Sequence, residues 1–125
     1  MEDREIKIRT YFDAWLDKDG SCLETLFEPA IRYTECYGPE YLGLEQVKKW
    51  FTEWNLSSKV LVWDVKGFTH QGNQTAVEWY FKYENKDNGG EMDGVSLISF
   101  NAEGKIYRVK EFTSQVEHHW PYDKS

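Results

Sequence analysis

The feature that most constrains this chain is a change of hydrophobic period part-way along it. Before Lys59, apolar residues recur at helical spacing in three places. From Lys59 to Thr113 they alternate with polar residues, broken only by short clusters of Gly, Asn and Asp. In the first helical stretch, Ile8, Tyr11, Phe12, Trp15 and Leu16 follow an i, i+3, i+4, i+7, i+8 stripe. Glu2 and Asp3 suit its N-terminus and Gly20 its C′ position. Ser21-Cys22-Leu23-Glu24 reads as a capping box that opens a short second helix, stopped by Pro29. Ala30 to Tyr37 reads as a strand with Ile31, Tyr33, Glu35 and Tyr37 on one face, ended by Gly38-Pro39. Leu44, Val47, Phe51 and Trp54 mark a third helix, with Trp50 beside them.

Four strands follow in this reading: Lys59 to Thr69, Thr75 to Glu84, Met92 to Asn101 and Ile106 to Thr113. The turns between them are His70 to Asn73, Asn85 to Gly90 and Ala102 to Lys105, with Gly89-Gly90 read as a hairpin turn. Helices followed by a meander predict an α+β fold. Three N-terminal helices would pack on a strongly curved, mainly antiparallel sheet and form a cone with an internal cavity. The 125 residues suffice for one core, and we expect one domain over 1–125, with 117–125 as a tail. Aromatic residues are 17% of the chain, which demands large apolar faces to bury. The sheet has apolar side chains on both faces, so the face away from the cavity predicts a homodimer.

Charge and cysteine usage narrow the partners. A net charge of −7 argues against nucleic acid, which needs a basic patch. No apolar run reaches the roughly 18 residues of a membrane span. Met1 to Glu5 is charged and lacks a signal-peptide core, and Cys22 and Cys36 have no CxxC spacing, so a cytoplasmic protein with reduced thiols is expected. No Walker loop, dinucleotide fingerprint, GxSxG elbow or HExxH motif occurs, and we expect neither cofactor nor metal. Glu117, His118 and His119 lack the i, i+4 spacing of a preformed metal site. The tail has three open readings: disorder, dimer packing, or a flap over the cavity mouth anchored by Trp120 and Tyr122.

The sharpest chemical candidate is Glu35, a carboxylate between apolar neighbours. Buried there, it would have a raised pKa and could act as a base. The plainer alternative is a salt bridge to Arg32 or Arg108. Parity on the last strand puts Val109, Glu111 and Thr113 on one face, and a second acid near Glu35 would drive the two pKa values apart. Tyr11 and Trp15, four apart, would line one side of the first helix. Cys36 would face away from the cavity, and His70 at a hairpin turn reads as a surface histidine.

The order of elements resembles the nuclear transport factor 2-like superfamily, and within it the SnoaL-like group. The resemblance runs from Ile6 to about Ser114. It rests on Tyr11-Phe12-Asp13-Ala14-Trp15, on the Gly38…Gly43-Leu44-Glu45 step, and on Asp93 to Phe100 followed by Gly104-Lys105-Ile106. The group includes ketosteroid isomerase and polyketide cyclase relatives, along with non-catalytic binders. By resemblance to ketosteroid isomerase, Glu35 takes the place of the general-base aspartate and Tyr11 that of the oxyanion-donor tyrosine. Ser96 stands where that family has a second, acidic donor. Phe27 and Phe51 replace supporting tyrosines, which thins the donor network, and Ser114 stands where some cyclases have an aspartate. The resemblance also turns the face carrying Val109, Glu111 and Thr113 inward. The resulting expectation is a small apolar, cyclic ligand. Glu35 and Tyr11 would be catalytic, and Trp15, Tyr33, Trp50, Ser96, Ile98, Val109, Glu111 and Thr113 would bind it, in an isomerase, cyclase or dehydratase. The alternative is a ligand-binding or dimerisation module without turnover.

Overall fold

The computed structural model describes residues 2–122. Among these, α1 (Glu2–Asp17), α2 (Leu23–Leu26) and α3 (Leu44–Ser57) accompany β1 (Phe27–Thr34), β2 (Glu40–Leu42), β3 (Ser58–Gln71), β4 (Gln74–Asn85), β5 (Gly89–Phe100) and β6 (Ile106–Ser114). The six strands form one sheet in the order β2-β1-β6-β5-β4-β3. Only β1 and β6 run parallel; the other neighbours are antiparallel. This is the α+β architecture that the change of period implies. No helix among the described residues is long and apolar enough to cross a membrane.

α1 buries Ile8, Tyr11, Phe12, Ala14 and Trp15 and packs on β3. The helix ends two residues earlier than Gly20 suggested. Lys18 adopts φ 55°, its N–H donates to Trp15 O at 3.4 Å, and the Asp19 N–H donates to Ala14 O at 3.0 Å. Those two bonds close a Schellman motif with a lysine in the left-handed position. Gly20 serves packing instead: a Cβ there would lie 3.1 Å from the Phe51 ring. The capping box at Ser21 does not form either. α2 has no side-chain cap, and the nearby carboxylate of Asp19 accepts the Ser21 N–H at 3.0 Å.

β1 begins and ends three residues earlier than its apolar pattern suggested. Pro29 does not stop α2; it lies inside β1, where the ladder to β6 shifts register between Phe27 and Arg32 and no proline N–H is needed. Residues 35–39 form a turn, closed by Glu35 N–H to Pro39 O at 2.9 Å and Gly38 N–H to Glu35 O at 3.1 Å, with Gly38 at φ 106°. The chain then returns as β2, too short to show a period. Gly89 and Gly90 are strand residues paired with Glu84 and Tyr83; the turn is Asn85 to Asn88.

Further register shifts occur between Val60 and Val62, between Val65 and Gly67, and at Ser99/Phe100. Such bulges add twist and bend to a sheet. The concave side packs on the helices, and the core includes Phe12, Phe27, Ile31, Tyr33, Val77, Ile98 and Val109.

Candidate functional site

The concave side of the sheet leaves a pocket of about 250 Å³. α1 and α3 supply Trp15, Trp50 and Trp54 to its wall; β3 and β4 supply Trp63, Trp79, Phe81 and Tyr83. The alternation of β4 thus turns Trp79, Phe81 and Tyr83 inward and Glu78, Tyr80 and Lys82 outward. The rings touch one another in sequence. Tyr33 lies 5.0 Å from Trp50, Trp50 4.9 Å from Trp15, and Trp15 5.4 Å from Trp54. Trp54 lies 6.0 Å from Tyr83, Tyr83 5.8 Å from Phe81, and Phe81 6.2 Å from Trp79.

A polar chain closes this belt. Trp79 Nε1 donates to Ser96 Oγ at 3.0 Å, and Ser96 Oγ donates to Glu111 Oε2 at 3.3 Å. From the other side, the Tyr11 hydroxyl donates to the Tyr33 hydroxyl at 2.7 Å, and Tyr33 donates to Glu111 Oε2 at 2.7 Å. Both chains end on one carboxylate oxygen, Glu111 Oε2.

Glu111 and Glu35 both line the pocket. Burial raises Glu111 to about 7, opposed by the Tyr33 hydrogen bond and reinforced by the charge of Glu35. Burial also raises Glu35, offset by the Tyr41 hydroxyl, which donates to its Oε1 at 2.7 Å. Glu35 carries the weaker opposition to ionisation and loses its proton first; its charge then falls on Glu111. Burial, then the charge of Glu111, pushes the Tyr33 and Tyr11 phenols well above their ordinary range, so both stay protonated donors.

The salt-bridge alternative for Glu35 is overturned. Arg32 Nη2 meets Glu40 Oε1 at 2.9 Å, and Arg108 Nη1 donates to the Thr34 hydroxyl at 2.9 Å and to Val109 O at 2.8 Å. Among the described residues, no Lys, Arg or His lines the pocket. Cys36 also lines the pocket, because the turn at 35–39 breaks the alternation that would have turned it away.

Of the residues expected to form the site, Glu35, Trp15, Tyr33, Trp50 and Glu111 line the pocket. Tyr11 and Ser96 lie one layer beneath it, each 1% exposed, with their hydroxyls donating to Tyr33 and Glu111. Ile98 and Val109 are core, also 1% exposed. Thr113 is exposed near the end of β6 and is not part of the wall. Trp54 and Trp63 of the wall, and Tyr41 on Glu35, were not among the residues expected at the site.

Two further expectations are corrected. His70 is no plain surface histidine: its ring nitrogens lie 2.7 Å from Glu5 Oε2 and 2.8 Å from Thr75 Oγ1, tying α1 to the β3–β4 hairpin. The described part of the tail is not a flap over the pocket. Trp120 and Tyr122 are 70% and 84% exposed, and no described tail residue lines the pocket. No group of three or more His, Cys, Asp or Glu side chains converges to hold a metal among the described residues.

The chain belongs to the SnoaL-like domain family, whose model matches residues 8–109. No curated protein matches it in sequence. Solved structures share the fold at low identity. A protein from Catenulispora acidiphila DSM 44928 with a ketosteroid isomerase-like fold, in complex with trimethylamine, is 16% identical with a TM-score of 0.73, over 88% of this chain and 85% of that one. A putative polyketide cyclase from Xanthomonas campestris pv. campestris is 13% identical with a TM-score of 0.74, over 89% and 90%. An LEH-like epoxide hydrolase from M. tuberculosis is 7% identical with a TM-score of 0.80, over 90% and 84%.

Proposed function

We propose that the pocket holds a small, largely apolar molecule and moves a proton on it without a cofactor. One observation carries this reading: two carboxylates share the aromatic wall of one pocket, and neither is paired with a basic side chain. In this reading Glu35, eased toward ionisation by the Tyr41 hydrogen bond, is the base, and Glu111, raised to about 7, is the acid. Glu35 then takes a proton from a carbon beside a carbonyl, and Glu111 gives its proton to the carbonyl oxygen as negative charge develops there. Glu35 then returns its proton to another carbon of a conjugated substrate while Glu111 takes back the proton from the oxygen, which completes an isomerisation and restores both carboxyl groups. Tyr11 acts here as a positioning residue, because its hydroxyl is spent on Tyr33. The size of the pocket favours a small substrate: about 250 Å³ lies below the ~300 Å³ at which pockets for drug-sized ligands begin. Neighbours described as a putative polyketide cyclase and an epoxide hydrolase, and one in complex with trimethylamine, are in keeping with small-molecule chemistry on this scaffold.

The test is proton exchange at carbon. Cyclopentanone and cyclohexanone, incubated with the protein in D₂O, should gain α-deuterium by NMR. Glu35→Gln should slow that exchange by about 10²–10⁴-fold. No exchange above buffer with any small ketone would sink the catalytic reading.

A second reading, a binding module without turnover, is favoured by the buried hydroxyls. Tyr11 and Ser96, the expected oxyanion donors, point their protons at Tyr33 and Glu111 rather than at the pocket. In either reading we place a second copy of the chain across the convex face of the sheet, where Phe112 is 55% exposed and Val95 and Leu97 are half-buried.

A further inference from the structure

We propose that the molecule this pocket selects is a small organic cation, an alkylated ammonium group held inside the aromatic belt against Glu35 and Glu111. The inference rests on the pocket being a ligand site, which both readings above share, and it adds the charge of the ligand.

Composition of the wall is the first reason. Five of the six tryptophans line the pocket, together with Tyr33, Tyr37, Phe81 and Tyr83. Aromatic faces carry negative quadrupole potential and attract cations, most strongly in tryptophan. Ring geometry is the second. Trp15 meets Trp54 at 84°, Trp63 meets Trp79 at 86°, and Trp63 meets Phe81 at 79°. Trp63 and Trp50 each give one face to a stacked neighbour, Phe12 at 3.8 Å and Tyr41 at 4.6 Å, while in each edge-to-face pair one ring keeps its face free of the other. A neutral apolar ligand needs only apolar surface and gains nothing from this arrangement of faces.

Charge is the third reason, and it separates a cation from a neutral guest. Both formal charges of the wall are negative, and among the described residues no Lys, Arg or His lines it to balance them. The two arginines that could have paired with Glu35 are used elsewhere: Arg32 pairs with Glu40, and Arg108 bonds Thr34 and backbone carbonyls. A guest bringing a positive charge would relieve the desolvated carboxylates, whereas a neutral guest would desolvate them further. An anionic guest would face two like charges and a net −7 chain. A primary ammonium would need hydrogen bonds on three sides, and an aromatic wall supplies few acceptors; N-alkylation removes that demand.

The test compares isosteres by isothermal titration calorimetry at pH 8, where both carboxylates are charged. The probes are choline, tetramethylammonium and 3,3-dimethyl-1-butanol, the last being choline with carbon in place of nitrogen. Choline should bind roughly tenfold or more tightly than its neutral isostere. Glu35→Gln and Glu111→Gln should each reduce that preference. Equal affinity for choline and 3,3-dimethyl-1-butanol would overturn the cation inference and leave the pocket as an apolar ligand site. Binding of none of the three, with cyclohexanone also failing to bind, would overturn the pocket reading as well. Because the comparison of probes is made on the unaltered protein, it stands even if a variant fails to fold.

Discussion

Glu111 shows how one side chain sets pH behaviour. Its folded pKa, about 7, lies above the ordinary glutamate value near ~4.3. Folding therefore favours its protonated form. That stability is fully present below the ordinary value and is lost as pH rises through about 7. Glu111→Gln keeps an acceptor for Tyr33 and Ser96 and removes the ionisation. Urea denaturation should find the variant more stable than the parent by about 1–3 kcal/mol at pH 8 and no more stable at pH 4. A parent whose stability is flat between those pH values would contradict the assignment. Tyr33 and Tyr11 should also separate. Tyr33→Phe leaves the buried Tyr11 hydroxyl without its acceptor, at a cost of about 1–3 kcal/mol, whereas Tyr11→Phe leaves Tyr33 still donating to Glu111 and should cost less. Thermal melts of the two variants decide this. Parity grouped Glu111 with Val109 and the resemblance turned that face inward, while Glu35 continues the face of Ile31 and Tyr33 into the turn after β1. Depth was not legible. Parity cannot say that Tyr33 would stand between Tyr11 and the pocket, or that Glu111 would cover Ser96. Trp63 and Trp79 gave no distinct signal, since a wall tryptophan and a core tryptophan follow the same pattern.

At the scale of elements, two residues sit against local preference. Lys18 ends α1 in a left-handed conformation that costs a side-chain-bearing residue roughly 1–2 kcal/mol. Lys18→Gly should stabilise the chain by about 1 kcal/mol, read as a shift in the urea midpoint at constant slope. Gly94 in β5 is the opposite case. A Cβ there would lie 2.4 Å from the Trp79 ring and 2.7 Å from Phe112 O. Gly94→Ala should destabilise by about 1–3 kcal/mol and displace the indole that donates to Ser96. Helices and long strands could be read from period because each spans several repeats. β2, of three residues, and the turn at 35–39 are shorter than any period can reveal. The capping signals at Gly20 and Ser21 misled for another reason: Lys18 and Asp19, each a short step away, meet the same backbone groups first.

For the whole molecule, the convex face carries the prediction. With Phe112 projecting from β6, sedimentation equilibrium should give twice the 14.9 kDa chain mass, and Phe112→Lys should shift it toward the monomer. A monomer for the parent would remove the dimer. The distribution of indoles has an optical consequence. Five of them surround the pocket, while Trp120 is 70% exposed in the tail. Ultraviolet emission will therefore have two sources: a shorter-wavelength group shielded from iodide, and one red-shifted, quenchable fluorophore. With Trp120 replaced by phenylalanine, the remaining emission becomes a label-free reporter of pocket occupancy, so ligands can be screened before any reaction is known.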